Sequence, residues 1–154
     1  IVENAEKNGK TTGLITGCFD ILHIGHIEFL REAKRRCDVL IVGLDSDESI
    51  RLTKGDGRPI YSLKQRSFAL SELISVDYIF LIESDFNFYT NQAPEVLTKI
   101  TKKIKPSFLF TNSLADKFWK EKKNRAEQLG SKLVDIKKEI SSTTSIIRKL
   151  ETED

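Results

Sequence analysis

The 154-residue chain predicts an α/β fold, an open parallel five-stranded sheet with helices on both faces. Three observations predict it. Short apolar runs alternate along the chain with stretches of helical periodicity, the order expected of strand–helix–strand units. The run "DVLIVGL" at residues 38–44 is continuously apolar, as a strand covered on both faces must be. Helix start and stop signals fall between the runs, among them the Ser62–Gln65 capping box and Gly130.

The elements follow in order. Residues 1–11 are polar with one glycine and read as a tail or linker, leaving 12–154 as a single domain. Thr12 to Phe19 is a first strand. Ile24 to Arg36 is a helix with Ile27, Leu30, Ala33 and Cys37 near one face. Residues 38–44 are the second strand, and "DSDES" then supplies Ser and Asp as helix caps. Residues 53–60, "TKGDGRPI", are a loop carrying two glycines and a proline. The capping box opens a helix over residues 63–73. Asp77 to Ile82 is a third strand, and Pro94 to Ile104 a helix with its proline in the first turn. Ser107 to Thr111 is a fourth strand. Leu114 to Leu129 is a charged helix ending at Gly130, Ser131 to Ile136 a fifth strand, and Thr143 to Leu150 a last helix. No internal repeat or low-complexity segment interrupts this order.

Composition narrows the function classes. Hydrophobic residues make up 39% and charged residues 31%, as in a soluble globular domain. A net charge of +2 is too small to argue for nucleic acid or a membrane surface. The basic stretches "KKIK" at 102–105 and "KFWKEKKNR" at 117–125 read as solvated helix faces, so no nucleic-acid partner is expected. No apolar run approaches the roughly 18 residues that span a bilayer, and no signal peptide is read. Cys18 and Cys37 have no metal-like spacing and read as free thiols of a reducing compartment, the cytoplasm. The absence of methionine and the start at Ile1 leave two readings, a processed chain or a domain of a longer one.

The functional signal lies in "TGCFDILHIGHIEFL", residues 16–30. It holds both histidines of the chain, His23 and His26. The first strand ends in this stretch and the first helix begins in it. In an open parallel sheet, ligands bind at the carboxyl ends of the strands, where the strand order reverses. The first amides of a helix are unpaired, carry partial positive charge and favour phosphate. Gly25 removes a side chain where a ligand comes close. Two imidazoles about one turn apart project to one side and can donate to phosphate oxygens as charge develops on them. An isolated pair at this spacing would instead suggest a metal ligand pair or a surface accident. The strand, turn and helix start around it favour catalysis.

"GCFDILHIGH" resembles the signature of the HIGH-motif nucleotidyltransferases, the cytidylyltransferase-like superfamily. The resemblance runs from Thr12 to Leu150. "CDVLIVGLDSDESIRLTKGDGRPI", "QRSFALSELISVDYIFL" and "SSTTSIIRKL" carry it further, and its form is nearest to the adenylyltransferase domains of the ADP-heptose synthase type. It implies a Rossmann-like fold. It implies attack of an acceptor phosphate on the α-phosphate of a nucleoside triphosphate, with release of pyrophosphate. By resemblance, His23 and His26 stabilise the transition state, while Lys54 and Arg66 contact the phosphates as catalytic residues. Gly17, Cys18, Phe19, Asp20 and Gly25 would line the nucleotide, joined by Ser142, Thr143 and Thr144. Those three hydroxyls read equally as ordinary caps of the last helix, and Asp20 equally as a residue bonding local amides. Arg58 reads as an exposed loop cation. Ile146, Ile147 and Leu150 read as core.

Mg²⁺ is expected to arrive with the triphosphate, since no dense carboxylate cluster would hold a metal alone. The expected partners are an NTP, with ATP favoured and CTP possible, and a phosphorylated sugar or polyol. A homodimer is a further expectation from the resemblance. Two features keep CTP open. Thr111-Asn112-Ser113-Leu114-Ala115-Asp116 replaces the lysine, paired glycines and acid of the heptose pattern, and Lys137-Lys138-Glu139 stands where cytidylyltransferases carry arginine–threonine–glutamate. A nucleotide-binding module without turnover is the reading from a different class.

Overall fold

A computed structural model of the chain describes residues 1–137. The expected last helix, with Ser142, Thr143, Thr144, Ile146, Ile147 and Leu150, lies outside the described residues.

The strands are β1 (Thr12–Gly17), β2 (Val39–Leu44), β3 (Tyr78–Leu81), β4 (Phe108–Thr111) and β5 (Lys132–Asp135). They form one sheet in the order β3-β2-β1-β4-β5, and every pairing is parallel. The order reverses at β1. The chain winds outward through β2 and β3, then crosses back to place β4 on the other side of β1. The crevice at the carboxyl ends of β1 and β4 is therefore the switch point of the sheet. Register aligns Gly17 with Leu44, so β1 and β2 end level.

The helices among the described residues are α1 (Val2–Lys7), α2 (Ile24–Lys34), α3 (Asp47–Lys54), α4 (Leu63–Ser71), α5 (Gln92–Ile104) and α6 (Trp119–Leu129). Alternate strand residues point to opposite faces of the sheet. Ile15, Leu40, Val42 and Leu44 pack with Leu30 and Ala33 of α2 and Leu70 of α4. Leu14, Ile41 and Leu109 pack on the other face with Ala126 of α6, and Val2, Ile100 and Ile104 lie against them. Gly43 has no room for a side chain: a Cβ there would lie 2.6 Å from the Phe80 ring of β3.

Several boundaries differ from the sequence reading by a residue or two, and three differences change an element. Residues 1–11, read as a tail, contain α1, whose Ala5 is buried and whose Val2 packs on the core. Helix α3 continues through Lys54, so this lysine belongs to a last helical turn rather than a loop. Ser46 caps the start of that helix, and Gly55, at φ 96°, ends it. Helix α6 starts at Trp119, not Leu114. The preceding residues are held out of helix by side-chain bonds to backbone: Asn112 accepts from the Leu114 amide, Asp116 from Phe118, and Asp135 from Ser113. The Ser62–Gln65 capping box and the left-handed Gly130 cap stand as the sequence reads them.

Candidate active site

Between β1 and α2 the chain must turn within a few residues. It does so with two non-glycine residues in the left-handed region, Phe19 at φ 48° and Ile21 at φ 57°. A β-branched residue there is a genuine outlier, and such strain concentrates at functional sites. His23 is the N-cap of α2 in extended conformation, and its side chain makes no capping bond. The ring is thus free to face His26. The two imidazoles stack with centroids 3.8 Å apart and planes 25° apart, and Phe19 lies 5.2 Å from His26. The Nδ1 atoms of both rings are buried without a hydrogen-bond partner. Burial, then the charge of His23 and of Lys54, hold His26 down at about 4, against the Ile21 backbone and Asp20. Burial lowers His23 as well. The pair is therefore neutral at physiological pH.

Asp20, between the two left-handed residues, is fully buried. Its carboxylate accepts from the amides of Ile60 at 3.0 Å and Tyr61 at 3.0 Å, and pairs with Arg58 at 2.6 Å. Burial alone would raise its pKa; the Tyr61 and Ile60 amides and Arg58 outweigh that and hold it below the usual carboxylate value. The Ile60 and Tyr61 amides are distant in sequence from Asp20. Arg58, expected as an exposed loop cation, is instead 12% exposed and turned onto Asp20. The buried acid draws it inward, because an unpaired buried charge is costly.

Lys54 reaches back from α3, and its Nζ donates to Cys18 Sγ at 3.0 Å. Arg66, on α4, is 1% exposed. Its guanidinium donates to the carbonyls of Tyr61 at 3.1 Å, Cys18 at 2.6 Å and Asp45 at 2.8 Å, and to Asp47 Oδ1 at 2.8 Å. A guanidinium has five N–H donors. Arg66, which the resemblance reads as a phosphate contact, holds the ends of β1 and β2 to the start of α4 through these bonds. No motif in the sequence singles out the next residue of that frame. Asp45 directly follows β2, is 2% exposed, and has its Oδ1 without a partner. Its position after a continuous apolar strand was the available signal.

Across the crevice, Thr111 and Lys122 both bond Asp116, at 2.8 Å each. Arg125 is 5% exposed, so two cations of the stretch expected as a solvated face turn inward. Burial lowers Arg125, opposed by Asp116 and Glu121.

The structure thus brings Gly17, Cys18, Phe19, Asp20, His23, Gly25, His26, Lys54 and Arg66 together around the carboxyl ends of β1 and β2. Among the described residues no group of three or more His, Cys, Asp or Glu could hold a metal ion, and no helix is long and apolar enough to cross a membrane. Cys18 and Cys37 are free thiols, and burial pushes Cys37 up to about 11.

A family model described as cytidylyltransferase-like matches residues 14–149. The chain belongs to the cytidylyltransferase-like family. The match begins within β1 and takes in parts of all five strands and both sides of the crevice. The chain is 45% identical over 101 residues to the bifunctional protein HldE of Helicobacter pylori (strain G27), covering 64% of this chain and 22% of that protein. It is 43% identical over 102 residues to the HldE of a Nitratiruptor species, covering 66% and 21%. The alignments with these relatives thus span about a fifth of their length. Among solved structures, the lipopolysaccharide core biosynthesis protein from Thermoplasma volcanium GSS1 superimposes with a TM-score of 0.65 at 30% identity, covering 86% of this chain and all of that one. A bifunctional NMN adenylyltransferase/ADP ribose pyrophosphatase from Francisella tularensis shares the fold, with a TM-score of 0.66 at 14% identity over 92% of this chain and 42% of that one.

Proposed function

We propose that the domain transfers an adenylyl group from ATP to the phosphate of a phosphorylated sugar or polyol, releasing pyrophosphate. The observation that carries this reading is the stacked, neutral His23–His26 pair at the start of α2, with Lys54 beside it at the switch point of the sheet. Neutral imidazoles donate without adding a mobile charge of their own, and their hydrogen bonds strengthen as negative charge grows on the α-phosphoryl group. The helix start supplies further amide donors. Lys54 meets the triphosphate as a point charge. Asp20 and Arg66 do not touch the reacting atoms in this reading; they fix the two loops that do. Ser142, Thr143 and Thr144 are proposed to meet the outer phosphates.

Mg²⁺ would accompany the triphosphate, neutralising its oxygens. Among the described residues no group of three or more His, Cys, Asp or Glu would hold it beforehand, so it would come with the nucleotide. The likeness to HldE proteins and the "KGDGRP" stretch support ATP as donor.

CTP is the second reading, kept open by Thr111-Asn112-Ser113-Leu114-Ala115-Asp116, where the heptose pattern has a lysine, paired glycines and an acid, and by Lys137-Lys138-Glu139, where cytidylyltransferases carry arginine–threonine–glutamate. The deciding experiment follows pyrophosphate release with each NTP against a panel of phosphorylated sugars and polyols, alongside thermal unfolding with each NTP and Mg²⁺. Bound ligand stabilises the folded state by mass action. A larger thermal shift and faster release with ATP support the proposal; larger effects with CTP move the assignment to cytidylyl transfer. Binding without release under any acceptor supports a module without turnover.

A further inference from the structure

We propose that Asp45 is a positioning residue for the triphosphate, a buried carboxyl set among Arg66, Lys54 and Lys122 that takes up a proton as the polyanion binds and so leaves Lys54 to the phosphates. This rests on the nucleotidyl-transfer reading above.

The geometry places Asp45 in the frame of the site. Its amide donates to the Gly17 carbonyl at 3.1 Å, and its own carbonyl receives Arg66 Nη2 at 2.8 Å. Arg66 Nη1 donates to the Cys18 carbonyl, and Cys18 Sγ receives Lys54. The Asp45 backbone is thus tied to the end of β1, where the phosphates would lie. Its side chain is treated differently. It is 2% exposed, yet Oδ1 has no hydrogen-bond partner.

A buried carboxylate without hydrogen bonds is unstable unless cations compensate. The positive charges that act on the Asp45 carboxyl, strongest first, belong to Arg66 of α4, Lys54 of α3 and Lys122 of α6. Their attraction is weaker than the cost of burial, which pushes the carboxyl up to about 7. Arg66 is committed to four hydrogen bonds. Lys122 is paired with Asp116. Lys54 is the partner with only a thiol to hold it.

A triphosphate changes this balance in one direction. It draws Lys54 away from Asp45 and brings like charge towards it, and both effects disfavour the carboxylate. The protonated form therefore binds the nucleotide more tightly, and binding raises the affinity of Asp45 for its proton by the same factor. As pH rises through the midpoint of the free protein, Asp45 ionises, competes for Lys54 and weakens nucleotide binding. The limiting slope is about tenfold per pH unit for one linked proton.

The test is titration calorimetry of ATP binding in two buffers of different ionisation enthalpy, between about pH 6.5 and 8.5, on the parent and on Asp45→Asn, a window that brackets the raised carboxyl midpoint. Asparagine keeps the shape and cannot ionise. The parent should take up more protons than the variant, and its affinity should fall with pH while the variant's stays nearly level. Protons taken up by His23, His26 or the nucleotide itself are common to both proteins and cancel in the comparison. In steady state the difference should appear in KM for ATP on the alkaline side of that window and not in kcat. The parent alone also decides: the carboxyl-carbon NMR resonance of Asp45, followed with pH, should move its midpoint upward when ATP is added. This arm stands if the variant fails to fold. ATP binding with an unmoved midpoint, or with equal proton uptake and pH profile in both proteins, overturns the inference and leaves nucleotidyl transfer intact. Absence of binding by any NTP at any pH overturns both.

Discussion

His26 lies under His23 with ring centroids 3.8 Å apart, one imidazole on the first turn of α2 and the other on its cap. Stacked aromatic rings at this separation exclude water from each other, and burial then keeps both uncharged. The arrangement suits a pair that must donate hydrogen bonds without first shedding a charge.

Removing one such donor costs roughly 2.7–4 kcal/mol, about a hundred- to a thousandfold in turnover. His26→Ala should therefore bind ATP nearly as well as the parent and turn over far more slowly. The double variant should lose less than the sum of the single losses, because both rings act on one phosphoryl group. Calorimetric binding with single-turnover rates measures this. Loss of binding with an unchanged rate at saturation would make the pair a binding element only.

The depressed pKa of His26 carries a stability consequence. Its folded value, about 4, lies below the ordinary 6.5. Between those values the unfolded chain binds more protons, so the stabilising contribution is present above pH 6.5 and is lost as pH falls towards 4. The slope for one group is at most about 1.4 kcal/mol per pH unit. Urea unfolding at about pH 7.5 and about pH 5, either side of the ordinary histidine value, should show a larger loss for the parent than for His26→Gln. Equal losses would place the acid sensitivity elsewhere.

Arg66→Ala should destabilise the domain by roughly 3–5 kcal/mol, since it leaves the carbonyls of Cys18, Asp45 and Tyr61 without their donor. Arg66→Lys should not restore it, because one ammonium cannot span the same fork. Thermal unfolding decides; a variant within about 0.5 kcal/mol of the parent, the range of an ordinary surface substitution, would remove the clamp from the account.

Lys54→Ala should weaken catalysis with ATP and with CTP by a similar factor, since its partner is phosphate and not base. Asp20→Asn should raise KM for either nucleotide by loosening the 58–61 stretch from β1, with little change in kcat. A strong change in base preference from either substitution would refute the role given to that residue.

The sheet and its crevice were legible because strands covered on both faces leave continuous apolar runs, as in residues 38–44. The histidine pair was legible because its two members are close in sequence. The bonding partners of Arg66, Asp45 and Arg58 were not, for a common physical reason. What each does depends on partners far along the chain: Arg66 on Cys18 and Asp45, Arg58 on Asp20. No spacing encodes such a meeting. Helix α1 was missed because its polar surface hides the few residues, Val2 and Ala5, that anchor it. The start of α6 was misplaced because side-chain bonds from Asn112 and Asp116 compete with helix for the backbone.

The left-handed backbone at Phe19 and Ile21 bears on engineering. Each such residue stores of order 1–3 kcal/mol that the surrounding contacts must offset. Glycine at position 21 would release that strain at no steric cost, so a screen for heat tolerance alone should select Ile21→Gly readily. The same change would let the turn sample many shapes besides the one that aims α2. A thermostable lineage obtained this way would drift towards a well-folded protein with a blunted site, and selection should therefore be run on turnover and melting temperature together.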